Sequence, residues 1–260
     1  MFPTELFTFP LNMICCVIWI AAVVSLYRNC RSTSFVRFML SPAAPYFSIG
    51  LLISICIFIG LTDRRDLTDS WIFTAILFFF QTVLLFVVLR GWKKSPANIV
   101  HHKHIRWRFI MMHAGLIIAL GSGFWGAPDK QIVRMKPETD KPTNETWYID
   151  GRPSWLPYSI TLKAFNILKF SDGSPESFEA KVIIDDKPVS LRVNHPYKKN
   201  LVEDIYLSSY DSAAGDDSNY CIIQIVRDPW KYGKVIGIIM LLAGVFLLFI
   251  NGPEVYRHDD

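Results

Sequence analysis

The sequence has few cysteines and no C-x-x-C pair. Its five cysteines are Cys15, Cys16, Cys30, Cys56 and Cys221. Only Cys221 falls between residues 127 and 230, so that polar segment cannot form an internal disulfide. Three of the others lie in apolar runs, where a cysteine serves as a small hydrophobe; a thiol relay is the alternative. There is no G-x-S-x-G, P-loop, Rossmann fingerprint or H-E-x-x-H, so nothing in the chain alone makes a complete active site. Charge is also scarce, at 19%, and the net +4 is no nucleic-acid footprint. Residues 127–230 hold 13 Lys/Arg against 16 Asp/Glu, so the positive excess lies elsewhere. The N-terminal MFPTELFTFP lacks the basic region of a cleaved signal peptide.

What the chain does have is apolar length. Half of it (51%) is hydrophobic and 14% is aromatic. These residues gather in five runs: Leu11–Tyr27, Tyr46–Thr62, Trp71–Leu89, Phe109–Trp125 and Val235–Ile250. Each approaches the roughly 20 residues that cross about 30 Å of hydrocarbon. The pattern predicts a multi-pass α-helical membrane protein with a β-rich domain between the last two spans. Its divisions are a four-span region over 1–126, a β-rich insert over 127–230, and a last span with a tail over 231–260.

The loops after the first and third runs carry three basic residues (Arg28, Arg31, Arg37) and six (Arg90, Lys93, Lys94, Lys103, Arg106, Arg108), with no acid. The positive-inside rule puts both in the cytoplasm. Five spans then place the N-terminus and the insert outside and the C-terminus inside. The loop at 63–70, with Arg64 and Arg65, opposes this assignment but is outweighed.

The insert alternates apolar and polar residues at Tyr158, Ile160 and Leu162, and again in SFEAKVIIDD. This period of two marks strands with one buried face. VSLRVN, IYLSSY and NYCIIQIV add further strands, while FSDGSP and IDDKPV are turn sequences. The spacing predicts an antiparallel sandwich or small barrel of about 100 residues. Residues 136–157 are expected to form a loop. They include Asn144-Glu145-Thr146, a glycosylation triplet of a kind frequent by chance.

Chemistry centres on the stretch IRWRFIMMHAGLIIALGSGFWGAPDKQIVRM, residues 105–135. His113 sits about one turn inside the fourth run, and an ionisable group there is costly. It can hydrogen-bond a neighbouring helix, relay protons, or ligate a metal or haem iron. Gly115, Gly121 and Gly123 form a small-residue ladder that admits another helix or a flat ligand. No other histidine lies in an apolar run, so a second axial ligand has to come from another chain or copy. His101, His102 and His104 form a basic loop suited to anionic lipid, or alternatively a metal- or haem-acquiring patch. His195 is a lone surface histidine. Asp185, Asp186, Asp216 and Asp217 sit in turns.

Four segments resemble the ResB-like (CcsB) cytochrome c biogenesis proteins. They are FVRFMLSPAAPYFSIGLLI, RFIMMHAGLIIALGSGFWG, FSDGSPESFEAKVIID followed by LRVNHPY and DIYLSSY, and IVRDPWKYGKVIGIIMLLAGVFLLF. Together they cover residues 37–251 in the family's order. The resemblance implies a bacterial plasma-membrane subunit that works with a CcsA (ResC) membrane partner. The pair moves haem across the bilayer and joins its vinyl groups to the Cys-x-x-Cys-His thiols of apocytochrome c. It also implies that His113 is an axial ligand of an intramembrane b-type haem held transiently, with the other ligand from the partner. Any haem lyase activity is then shared, because the family partner's tryptophan-rich segment is absent here. Two departures are the added run Leu11–Tyr27 and Leu207, where a polar residue is expected. The alternatives are a haem b anchor for quinol-linked electron transfer and a non-catalytic assembly scaffold.

Overall fold

The structure is a computed structural model that describes residues 4–93, 107–172, 175–210, 218 and 220–251. It divides into two units: Met1–Pro128 with Trp230–Asp260, and Asp129–Pro229.

The first unit is helical. Its long helices are α1 (Leu11–Asn29), α3 (Ala43–Thr62), α4 (Trp71–Lys93), α5 (Trp107–Gly126) and α6 (Lys231–Asn251), with the short α2 (Ser34–Met39) after α1. All five long helices have the length and composition to cross a membrane, so the expected multi-pass architecture is borne out. They extend past the apolar runs by up to four residues, because helix ends are fixed by backbone capping as well as by hydropathy. At the end of α1, Arg31 Nε donates to Tyr27 O at 2.8 Å and its guanidinium lies 4.2 Å from the Tyr27 ring centroid. A cation there also suits the negative end of the helix dipole. Helix α2 was not expected within the basic loop. Thr33 caps its N-terminus, accepting from Val36 N, and its Val36 and Met39 are buried beside Val23, Tyr27 and Phe86. Arg90 of α4 donates to Leu40 O and ties α4 to the end of α2.

Helices α5 and α6 pack backbone to backbone. A Cβ at Gly115 would lie 2.7 Å from Leu241 N and 2.8 Å from Gly237 O. Gly237 faces Ala119, Gly233 faces Ser122, and Gly244 faces Met112. With no hydrophobic drive between helices in lipid, such close approach supplies the dispersion that holds them together.

The second unit is one eight-stranded antiparallel sheet, in the order β5-β4-β3-β2-β1-β8-β7-β6. The strands are β1 (Gln131–Met135), β2 (Thr143–Tyr148), β3 (Pro153–Lys169), β4 (Pro175–Ile184), β5 (Lys187–Arg192), β6 (Tyr197–Lys198), β7 (Glu203–Tyr210) and β8 (Cys221–Arg227). Bulges at Leu162/Ala164 and Leu207/Ser209 bend the sheet, and β5 curls round beside β6 and β7. The sheet thus encloses a single core, including Met135, Ile160, Leu162, Leu191, Ile205 and Ile223. Of the expected antiparallel sandwich or small barrel, this rolled sheet is of the small-barrel kind. The predicted strands all form. Residues 136–157, expected as a loop, instead carry β2 and the start of β3. TNETWY has too few apolar residues to show alternation, and only Thr146 in it is buried.

The turn Asp185–Asp186 has φ of 48° and 61° and joins the pair Ile184↔Lys187. Two successive left-handed residues are what a two-residue hairpin turn needs, and aspartate tolerates that region better than most.

Candidate functional site

His113 lies six residues into α5, about 9 Å along its axis at 1.5 Å per residue. It is half-buried. Its Nδ1 is 2.9 Å from the carbonyl oxygen of Phe109, one turn earlier, and its ring stacks on Phe109 at 4.1 Å and 24°. A carbonyl only accepts, so Nδ1 carries the hydrogen in this contact. In the neutral imidazole the lone pair is then on Nε2. Metal-ligating histidines are commonly fixed in this way, with one ring nitrogen donating to a carbonyl. The donor chemistry of His113 therefore fits an axial nitrogen for haem iron.

The glycine ladder divides between different roles. Among the described residues, Gly115 belongs to the α6 contact, Gly121 has only Gln81 Oε1 near its Cβ direction at 3.8 Å, and Gly123 has nothing within 4 Å of its own. A cavity of about 650 Å³ opens beside Gly123. It is lined by α1, α4 and α5, through residues such as Asn12, Cys15, Phe78, Gln81, Leu120 and Phe124. At 100° per residue, Leu120 and Phe124 fall within about 20° of His113 on the α5 helical wheel. His113 itself is one to two turns below the cavity and does not line it.

Sequence reading did not single out the polar residues here. Asn12 is 1% exposed and donates to Trp125 O at 2.8 Å. Gln81 is 2% exposed. Gln81 Oε1 and Trp125 Nε1 are buried with no hydrogen-bond partner among the described residues. The signal available was an amide on an apolar run, which is as informative in a membrane as a histidine. An aromatic group surrounds them: Trp19 lies 5.9 Å from Trp125, and Phe124 5.2 Å from Trp125. The Trp19 indole donates to Thr82 Oγ1 at 3.1 Å.

His101, His102, His104, Asp216 and Asp217 lie outside the described residues. His195 is exposed in the turn after β5. Asp185 pairs with Lys199 at 2.6 Å, and no group of three or more His, Cys, Asp or Glu suited to a metal occurs among the described residues. Cys221 is sealed in the sheet core, where burial pushes its thiol up to about 12. Near Asp185, Tyr158 donates to Glu203 Oε1 at 2.5 Å, and the Lys199 ammonium sits 3.0 Å from the Tyr158 ring centroid. Burial, then Glu203, raises the Tyr158 phenol above its usual value, so it stays a donor. This cluster ties the β6–β7 turn to β3 and to the β4–β5 hairpin. It is a structural clamp.

Residues 102–220 match the ResB-like family. A solved structure titled cytochrome c heme lyase CcmF is similar at 10% identity and a TM-score of 0.42, with 94% of this chain and 45% of that one covered. The chain thus spans less than half the length of that relative. No curated protein matches the sequence.

Proposed function

We propose, from the match of residues 102–220 to the ResB-like family, that the chain is a subunit of a cytochrome c synthase complex. In this role it handles haem within the membrane for attachment to apocytochrome c. The observation that carries the reading is the setting of His113 on α5: its Nδ1 lies 2.9 Å from Phe109 O, and with Nδ1 as the donor there, Nε2 is the nitrogen that would ligate iron.

The residues divide the work as follows. Phe109 orients the imidazole from both sides, with its carbonyl on Nδ1 and its ring under the imidazole plane. Gly115, two residues on, seats α5 against α6 and fixes the height at which His113 is presented. When bound, haem supplies the iron that His113 ligates and the vinyl groups that apocytochrome thiols attack. A CcsA-like partner would provide a second ligand to the iron, since α5 carries no histidine besides His113. The rolled sheet serves as an extracytoplasmic binding module for the partner or apocytochrome.

The test is His113→Ala in the chain copurified with a CcsA-like partner. The expected result is loss of the copurifying haem spectrum and of c-type cytochrome maturation, with the two proteins still associated. Normal haem content would remove His113 from the site. Normal c-type cytochromes in a deletion strain would remove the biogenesis role altogether.

A further inference from the structure

We infer that Gly91 on α4 is a positioning residue for the His113 imidazole, acting through the Phe109 ring. Gly91 lies in the last turn of α4 and is its only glycine; Phe109 lies in the first turn of α5. A Cβ at Gly91 would overlap the Phe109 ring at Cε1 and Cζ and lie 2.8 Å from Cδ1. The ring therefore takes the space that a side chain at 91 would fill. Close approach of this kind is not general to glycines on the spans. Gly50 and Gly60 on α3 meet nothing within 4 Å among the described residues. The His113 imidazole lies on the same Phe109 ring, with centroids 4.1 Å apart and planes 24° apart. Contact thus passes from the α4 backbone through Phe109 to His113.

Phe109 holds His113 in two separable ways. Its carbonyl oxygen, 2.9 Å from His113 Nδ1, is placed by the backbone of α5 and does not depend on α4. Its ring does depend on α4, because the ring sits where Gly91 leaves room. The carbonyl selects which imidazole nitrogen faces the helix, and the ring sets the plane of the imidazole. A ligand lone pair lies in that plane and has to point at its metal within about 10–20°. Any larger residue at 91 drives the ring by about 1 Å or more before an ordinary contact of about 3.5 Å is regained. The imidazole then follows the ring or loses the stack. The ligand role of His113 rests on the haem reading above; the contact among the three residues does not.

The first experiment uses the full chain, without haem, in detergent, with isotope-labelled histidine and nuclear magnetic resonance. His113→Gln assigns the His113 signals. Protons over an aromatic face are shifted upfield, so the native His113 ring protons are expected upfield of those of the other histidines. Gly91→Ala is expected to remove most of that shift, and Gly123→Ala to leave it. In a Phe109→Ala background, where the ring is gone, adding Gly91→Ala is expected to change nothing further. That double variant also decides the case in which Gly91→Ala alone fails to fold: it is expected to fold, because the obstruction has been removed. The second experiment uses the complex copurified with a CcsA-like partner, with carbon monoxide as the probe. Carbon monoxide binds a reduced six-coordinate haem only as an axial nitrogen leaves. Gly91→Ala is expected to speed its binding about tenfold or more, the low end of the effect of losing a contact that orients a metal ligand. An unmoved His113 signal in folded Gly91→Ala overturns the inference. So does a full-sized Gly91→Ala effect in the Phe109→Ala background, a double variant that does not fold, or a native rate of carbon monoxide binding in Gly91→Ala. If His113→Ala keeps its haem, it is the haem reading that fails, and the His113 signals still decide whether Gly91 sets the imidazole.

Discussion

Replacing Gly115 with alanine tests whether the close approach of α5 and α6 governs the position of His113. The added methyl would lie 2.7 Å from Leu241 N, 2.8 Å from Gly237 O and 2.9 Å from Met240 Cβ. Two of these are backbone atoms that cannot rotate away. Reaching an ordinary contact of about 3.5 Å requires the helices to part by roughly 0.7 Å. Overpacking of this kind costs about 1–3 kcal/mol, against about 1 kcal/mol gained from replacing glycine within a helix. The net expectation is a loss of up to about 2 kcal/mol. A further effect is a shifted His113, visible as weaker haem retention in the copurified complex. Gly123→Ala is the control on the same helix: it meets nothing within 4 Å among the described residues and should be neutral or stabilising. Thermal unfolding in detergent, followed by circular dichroism, reads the difference. Equal stability and equal haem content for Gly115→Ala and Gly123→Ala would refute the reasoning.

Cys221 should resist thiol reagents at pH 8 in the native protein and react only on unfolding, because burial pushes its thiol up to about 12; rapid labelling would show that the sheet core opens readily. Tyr158→Phe leaves Glu203 without its phenol donor and should cost about 1–3 kcal/mol, measured as faster hydrogen exchange in β3 and β7. The Glu179 carboxyl is held below the usual range, first by the Ser190 hydroxyl and then by Arg192. A depressed carboxylate stabilises the fold above its unfolded value of about 4.3, and that contribution is lost as pH falls through the lower folded value. Glu179→Gln should therefore flatten the acid side of the unfolding curve of the sheet.

The five spans were legible because largely apolar runs of about 16–19 residues have few other uses. Their ends were less so, since Arg31 on Tyr27 O and Thr33 on Val36 N extend or start helices through contacts that hydropathy does not encode. Among the strands, those with buried alternate residues, such as β4 and β8, were plain. The β2 strand was hidden because Asn144 and Glu145 are exposed and it is held by β1 and β3 on either side. Whether strands make a sandwich or one rolled sheet depends on bulges such as Leu162/Ala164, which have no strong sequence mark. At the candidate site, His113 stood out by the cost of an imidazole on an apolar helix. The division of its glycines between the α6 contact and the cavity did not, because it depends on which neighbour each glycine meets. The cavity beside Asn12 and Gln81 joins residues far apart in the chain, and only the packing of α1, α4 and α5 brings them together.

The ligand role of His113 is tested most directly by the optical spectrum of the chain copurified with a CcsA-like partner, compared between the native protein and His113→Ala. The native complex should show the Soret and α bands of a six-coordinate b-type haem, and the variant should lose them. Added imidazole should restore the bands by supplying the missing axial nitrogen. An unchanged spectrum in His113→Ala would contradict the assignment.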